Sequence, residues 1–252
     1  PLSRKQMPKQ LLNLTGHDAM INEAIARLRP IAKDGIFVVS GRSQRESLFR
    51  VLDKSIPADH VLLEPAARNT AACIGYAAIE ILKRCGDGVL VVIPSDSYIR
   101  NTQAFEEALS RAVAAAEEQD AIVTIGIRPT FPATGYGYIR CEEGTSPVKR
   151  VLRFVEKPDL AHAKEYLASG DYVWNSGMFV WKASLILEKF KKYLPELYEE
   201  LIRIGDAVGT GQEEDVIDRI YPEMPSISVD YGILEKTDGI LVVPADLGWS
   251  DV

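Results

Sequence analysis

Residues 88–96 read GVLVVIPSD. Five consecutive apolar side chains, rich in β-branched residues and without polar alternation, predict a strand covered on both faces. The Pro-Ser-Asp that follows predicts a turn at its carboxyl end. Three other runs share this texture: GIFVVSG (35–41), HVLLEP (60–65) and AIVTIGI (121–127). The segments between them have helical period. HDAMINEAIARLRP (17–30) offers Asp18 as N-cap, sets Met20, Ile21, Ala24, Ile25 and Leu28 on one stripe, and is expected to end at Pro30. RNTAACIGYAAIEILKRCG (68–86) starts at Asn69 and stops at Gly86, and NTQAFEEALSRAVAAAEEQ (101–119) starts at Asn101 or Thr102. Strand and helix alternating at this spacing predict right-handed crossovers and an open, doubly wound, mostly parallel α/β sheet of Rossmann-like type. Such sheets bind their ligands beyond the carboxyl ends of the strands.

After about residue 130 the texture changes. TGYGYIRC (134–141), VKRVLRFVEKP (148–158) and YVWNSGMFVW (172–181) are aromatic-rich strand segments, the last two flanking one helix, DLAHAKEYLASG (159–170). They predict a mixed sheet extension over the pocket, with sugar-sized contacts. Two more helices, around 183–203 and 212–220, precede SISVDYGILEK (226–236) and a last strand, GILVVPAD (239–246). No repeat, low-complexity tract or linker separates independent units, so one domain is expected over 1–252.

Composition excludes several classes. With 46% hydrophobic and 26% charged residues over 252 positions the chain buries a large core and is neither disordered nor fibrous. Its 36 acidic against 29 basic residues, net −7, argue against a nucleic-acid backbone as partner, but leave room for a small phosphorylated ligand in a local basic pocket. No run approaches the roughly 18 apolar residues of a membrane span, so no membrane partner and a cytoplasmic location are expected. The chain begins at Pro1 without methionine, so a removed leader stays open. Cys73, Cys85 and Cys141 are odd in number and unclustered, as free thiols in a reducing compartment would be.

The chemistry gathers on a few polar positions. Asp96 sits at the carboxyl edge of a buried strand, where it either forms a turn with its own backbone or faces a ligand. Asp251, in DLGWSDV (246–252), also follows an apolar strand and a glycine turn; Asp246 is the alternative. Two such acids on one cleft make a hard-oxygen site for Mg²⁺. His17, His60 and His162 stand in no reactive motif, and there is no Gly-x-Ser-x-Gly, no Cys–His arrangement and no Walker lysine loop. Transfer between phosphates needs none of these, because the attacking phosphate oxygen is already ionised.

In order along the chain, PLSRKQMPKQ (1–10), EPAARNTAA (64–72), VIPSDSYI (92–99), PATGYGYI (132–139), FVEKPD (154–159), WNSGMFVW (174–181), SVDYGILEK (228–236) and DLGWSDV (246–252) resemble the sugar-nucleotide pyrophosphorylases, most of all the bacterial mannose-1-phosphate guanylyltransferases. The resemblance implies a nucleotidyltransferase fold with a nucleotide-binding half over about 1–128 and a sugar-binding half over about 129–252. It also implies that the family's first strand and G-G-x-G-T-R loop lie upstream of Pro1 and that its pattern continues beyond Asp251, so the chain looks truncated at both ends. The implied reaction joins mannose 1-phosphate to the α-phosphate of GTP, giving GDP-mannose and pyrophosphate with Mg²⁺; a homodimer is compatible with it.

Residue roles follow from the same resemblance. Lys9, and more weakly Arg4, match cations at the triphosphate and sugar phosphate, against the alternative of solvated surface charges; Lys5 is read as solvent-facing. Asp96 and Asp251 match the metal-binding aspartates. Glu64, Arg68, Asn69, Thr70 and Ser95 fall on the nucleotide side. A carboxylate at Glu64 accepts from both N1–H and the 2-amino group of guanine, unless it pairs with Arg68 while Asn69 only caps a helix. Gly135, Tyr136 and Gly137 look like the backbone stretch over the sugar. Glu156 and Lys157 match contacts to sugar hydroxyls and sugar phosphate, against an exposed ion pair of little value. Asn175 offers hydroxyl contacts and Gly177 close backbone approach. Trp174, Phe179 and Trp181 are assigned to the core. A transferase acting on glucose 1-phosphate with UTP or dTTP, a non-catalytic sugar-nucleotide-binding homologue, and a non-enzymatic interaction domain are the alternatives.

Overall fold

The computed structural model describes residues 8–251. Its first half holds α1 (Met20–Ala32), β1 (Val38–Gly41), α2 (Arg45–Val51), β2 (Val61–Glu64), α3 (Asn69–Cys85), β3 (Val89–Val92), β4 (Ser97–Ile99), α4 (Thr102–Gln119) and β5 (Val123–Ile127). The second holds β6 (Tyr138–Cys141), β7 (Lys149–Val155), α5 (Leu160–Ser169), β8 (Tyr172–Lys182), α6 (Ala183–Tyr193), α7 (Pro195–Ala207), α8 (Glu213–Ile220), α9 (Val229–Gly232), β9 (Leu241–Ala245) and β10 (Trp249–Asp251).

The strands form one six-stranded sheet and two pairs. Sheet order is β3-β8-β5-β9-β7-β6, and β6 returns to pair with β8, so β8, β5, β9, β7 and β6 close a barrel-like ring. β1 and β2 pair in parallel, and β4 pairs antiparallel with β10. The expectation of a mostly parallel sheet needs correcting. Within the six-stranded sheet only β5 and β9 pair in parallel, because β8 lies antiparallel to β3, β5 and β6 and β7 antiparallel to β6 and β9. Apolar runs covered on both faces carry no mark of direction, so the long β8 was free to insert between β3 and β5.

β8 shows how the layers are made. Its side chains alternate: Met178 and Val180 pack with Phe105, Leu109 and Ala112 of α4 on one face, while Phe179 and Trp181 pack with Ile79, Ile186 and Phe190 of α3 and α6 on the other. Helices therefore cover both faces, as the α/β reading requires. Trp174, Phe179 and Trp181 are core residues, as expected. A third cluster joins α1 and α2 to the β1–β2 pair through Ile21, Ile25, Val38, Leu48 and Val61.

Three helix expectations shift. α1 starts at Met20 after Ala19, with Asp18 Oδ1 turned to Ala19 N and Asn22 Nδ2, and it runs through Pro30 to Ala32. The single helix expected over 183–203 breaks at Leu194, because Pro195 disfavours helical backbone in the residue before it and instead opens α7. Gly86 does end α3 at φ 84°, and Asn101 does cap α4 by accepting from Ala104 N.

Candidate active site

The β4–β10 ladder brings two carboxylates together. Asp251 stands opposite Ser97, the residue after Asp96, although the two strands lie far apart in sequence. Lys9, in a single 3₁₀ turn over Lys9–Leu11, places its ammonium 3.1 Å from Asp96 Oδ2 and 3.6 Å from Asp251 Oδ1. Gln10 Nε2 donates to the same Asp96 oxygen at 3.1 Å. Partial burial opposes the Lys9 charge, but the hydrogen bond and charge of Asp96, joined by Asp251, outweigh it and hold the Lys9 pKa above the usual lysine value. Asp246 is not the partner: its carboxylate turns back to Gly248 N at 3.5 Å and lines a separate groove with Arg128 and Lys149. Arg4 and Lys5 lie outside the described residues.

These two carboxylates already share one cation. Among the described residues no group of three or more His, Cys, Asp or Glu forms a metal cage. A pair of hard oxygen donors converging on a point where positive charge sits is nonetheless the donor set Mg²⁺ takes when phosphate oxygens and water complete its shell. Asp96 and Asp251 therefore fit that ion.

The residues expected on the sugar side form a second group. Gly137 is squeezed between Glu156 and Asn175: a Cβ there would fall 2.4 Å from Glu156 Oε2 and 3.2 Å from Asn175 Cβ, while Gly137 O accepts from Asn175 N at 2.8 Å. Glu156 has a side chain only 10% exposed; its Oε1 meets Lys157 Nζ at 3.3 Å, and Oε2 has no hydrogen-bond partner among the described residues. Burial raises the Glu156 pKa, and the neighbouring Asp230 charge raises it further against the pull of Lys157. The pair is buried at its Glu156 end alone, since the Lys157 side chain is 56% exposed. Asn175 Oδ1 accepts from Gly177 N at 3.1 Å, and Nδ2 donates to Asp230 Oδ1 at 2.9 Å. Gly177, at φ 73°, lies against Pro94, so the sugar group abuts the turn that carries Ser95 and Asp96. Tyr136 packs edge-on against Trp174 and Trp249, at 5.1 and 5.2 Å. Its hydroxyl pKa is raised by burial and by the charge of Asp251, against the pull of Lys9.

Of the residues expected on the nucleotide side, Glu64 ends β2 and accepts a short hydrogen bond from the Tyr221 hydroxyl. Burial raises the Glu64 pKa, with Tyr221 working against the rise. No Glu64–Arg68 ion pair forms; Arg68 Nε is buried without a hydrogen-bond partner among the described residues. Asn69 is the first residue of α3, not its N-cap, and holds φ 63° with Oδ1 accepting from Thr70 N. Thr70 Oγ1 accepts from Val229 N at 2.9 Å. Non-glycine residues rarely take positive φ, and two of the four described here, Asn69 and Lys157, stand in these motifs.

Sequence reasoning missed Gln10, Tyr221, Asp230 and Glu235. Asp230 carried a signal, an acid inside the otherwise apolar SVDYGIL; Glu235, whose Oε1 accepts from Glu156 N at 3.0 Å, carried none. The histidines stay out of the site: His60 stacks on Phe37, and His162 pairs with Asp159. The three cysteines are free thiols, and no helix among the described residues is long and apolar enough to cross a membrane.

The family model described as Nucleotidyl transferase matches residues 1–252. Over its full length the chain is 43% identical to the xanthan biosynthesis protein XanB of Xanthomonas campestris pv. campestris, covering 54% of it. It is 40% identical to a putative mannose-1-phosphate guanylyltransferase of Vibrio cholerae, covering 55%. The chain thus spans about half the length of these curated relatives. A crystal structure described as mannose-1-phosphate geranyltransferase from Thermus thermophilus superposes with a TM-score of 0.89 at 34% identity, over all of this chain and 71% of that one.

Proposed function

The chain belongs to the nucleotidyl transferase family, and from that premise we propose that it transfers GMP from GTP to mannose 1-phosphate, releasing pyrophosphate. The observation that carries this reading is the ammonium of Lys9 held between Asp96 and Asp251, against the group built from Gly137, Glu156 and Asn175. An oxygen of the sugar phosphate attacks the α-phosphorus of the triphosphate; that P–O bond forms as the bond to the β-phosphate oxygen breaks, and the electron pair leaves with pyrophosphate. No general base is needed, because the attacking oxygen is ionised.

The side chains then have separable tasks. Lys9, with Arg4 as a second cation, neutralises phosphate charge near the reacting centre. Asp96 and Asp251 would hold Mg²⁺, which supplies charge neutralisation on phosphate oxygens. Glu156 and Asn175 take the sugar hydroxyls, Lys157 the sugar phosphate, and the backbone of Gly135–Gly137 covers the ring, with Gly177 allowing close approach. Glu64 accepts from the guanine edge, oriented by Tyr221, while Arg68, Asn69, Thr70 and Ser95 line the nucleotide side. Thr70 contributes there through the backbone of Val229 that its hydroxyl holds. Names of relatives that contain mannose 1-phosphate and guanylyltransferase support this substrate pair over glucose 1-phosphate with UTP.

The test is pyrophosphate release, with each nucleoside triphosphate paired with mannose 1-phosphate or glucose 1-phosphate, with and without Mg²⁺. Turnover is expected for GTP with mannose 1-phosphate and Mg²⁺. Turnover confined to UTP and glucose 1-phosphate would overturn the substrates, and metal-independent turnover would overturn the role of the two aspartates.

A further inference from the structure

Asn175 carries a side chain whose two ends are chemically opposite but nearly equal in size. An amide can be turned over with little steric change, and each orientation presents a different pattern to a hydroxyl. Here one orientation is enforced. A carboxylate such as Asp230 has only acceptors, so it can take only the nitrogen end, and Asn175 Nδ2 donates to its Oδ1 at 2.9 Å. The oxygen end accepts from Gly177 N at 3.1 Å and from Thr124 Oγ1 at 3.5 Å, so donors on one end and the carboxylate on the other hold the same orientation. One N–H of Asn175 remains, and the unpartnered Oε2 of Glu156 lies on the same side of Gly137 as Asn175 Cβ, since one added Cβ there would meet both, at 2.4 and 3.2 Å.

Resting on the functional reading above, we propose that Asp230 is a positioning residue that sets sugar selectivity through Asn175. A donor from Asn175 and an acceptor from Glu156, set side by side against one glycine, match two neighbouring hydroxyls, one accepting and one donating. With the amide inverted, the site would offer two acceptors and lose that match. Mannose 1-phosphate and glucose 1-phosphate differ only in the direction of one hydroxyl, so a fixed donor–acceptor pair is the kind of feature that separates them.

The cost of keeping Asp230 supports a functional role. Burial raises its pKa, opposed by its own backbone N–H, Asn175 and Lys157, while the charge of Glu235 raises it further. Asp230 also raises the pKa of Glu156. A negative charge so placed works against the folded state, and groups of this kind persist at sites where geometry matters more than stability. The carboxylate is nonetheless firmly held: Ser228 Oγ caps α9 by accepting from Tyr231 N, and Val229 N donates to Thr70 Oγ1 at the start of α3.

The experiment compares wild type with Asp230→Asn, which can pair with Asn175 in either amide orientation, and Asp230→Ala, which removes the acceptor. For both, KM for mannose 1-phosphate is expected to rise on the order of 10-fold and the preference over glucose 1-phosphate to fall by a similar factor. KM for GTP should stay within about twofold, and the melting temperature should not fall for Asp230→Asn. In an Asn175→Ala background, Asp230→Asn should have no further effect on selectivity, since a residue acting through Asn175 has nothing left to orient. Unchanged selectivity in the single variants, or an equal loss with Asn175 already removed, would overturn the inference alone. A wild type that discriminates between neither sugar phosphate would overturn the functional reading with it.

Discussion

Gly137→Ala isolates the sugar group from the rest of the protein. Gly137 does not have a positive φ, so alanine is acceptable to its backbone and the whole effect is steric. The new methyl would lie 2.4 Å from Glu156 Oε2 and 3.2 Å from Asn175 Cβ, whereas ordinary contact begins near 3.4 Å. The carboxylate must therefore withdraw by roughly 1 Å, and a displacement of that size in a positioning residue costs on the order of 100-fold in rate, about 2.7 kcal/mol. The loss should fall on kcat/KM for the sugar 1-phosphate and leave KM for GTP within about twofold, because Lys9, Asp96 and Glu64 are not touched. Gly211→Ala, on an exposed turn away from every residue given a role in the site, is the control: nothing lies within 4 Å of its added methyl and its φ is not positive, so neither melting temperature nor kinetics should change appreciably. Steady-state kinetics with each substrate varied in turn, alongside thermal melts, read both variants. Unchanged sugar kinetics in Gly137→Ala would refute the geometry, as would equal damage from the two alanines.

Two further perturbations test other parts of the molecule. Glu64→Gln should weaken use of GTP more than use of other triphosphates, since an amide cannot accept from two guanine N–H groups at once; equal losses across nucleotides would end the base-reading role. Glu80, fully buried in α3 and paired with Arg84, which also serves Glu213, is pushed up to about 7 mainly by burial. In the unfolded chain such a carboxyl titrates near ~4.3, so between roughly pH 4.5 and 7 the native state holds a proton that the unfolded state has released. Stability from this group is therefore present at low pH and lost as pH rises through that window. Glu80→Gln should remove that loss and gain about 1–3 kcal/mol over wild type at pH 8 but little at pH 4.5, read from urea unfolding midpoints. A variant less stable than wild type at pH 8 would show that the Arg84 contact outweighs burial.

What was legible in the sequence depended on how far a cause reaches along the chain. The strands at 38–41, 61–64, 89–92 and 123–127 and the helices α3 and α4 follow from local pattern and caps, and all appear. Strand direction does not, because Val and Ile covered on both faces look the same in parallel and antiparallel neighbours; the insertion of β8 between β3 and β5 depends on the whole sheet. Pro30 misled for a related reason: only its own turn loses a hydrogen bond, and Met20, Ile21, Ala24 and Ile25 are buried strongly enough for α1 to continue to Ala32. At the site, Asp96, Lys9 and Asp251 were readable because each sits in a distinctive block. Partners were not. Tyr221 reaches Glu64 across 157 positions and Asp230 reaches Asn175 across 55, and no local pattern encodes such pairings.

Those distant pairings bear on catalysis because the proposed reaction has so little chemistry of its own. With an ionised nucleophile and no proton to move, rate depends on holding two phosphates in line at about 3–3.5 Å, and that precision must come from the fold. Three ties supply it. Gly177 rests on Pro94, joining the sugar group to the turn before Asp96. Tyr136 meets Trp249, joining the sugar loop to the strand that carries Asp251. α9 takes Thr70 of the nucleotide motif at Val229 and Asn175 of the sugar group at the next residue, Asp230. Every tie connects an element given a nucleotide or phosphate role in the proposed reaction to one given a sugar role, and none passes through a surface loop alone. Loosening one, with all the substrate-touching side chains intact, should therefore lower kcat/KM, because the groups would remain present while their separation ceased to be fixed.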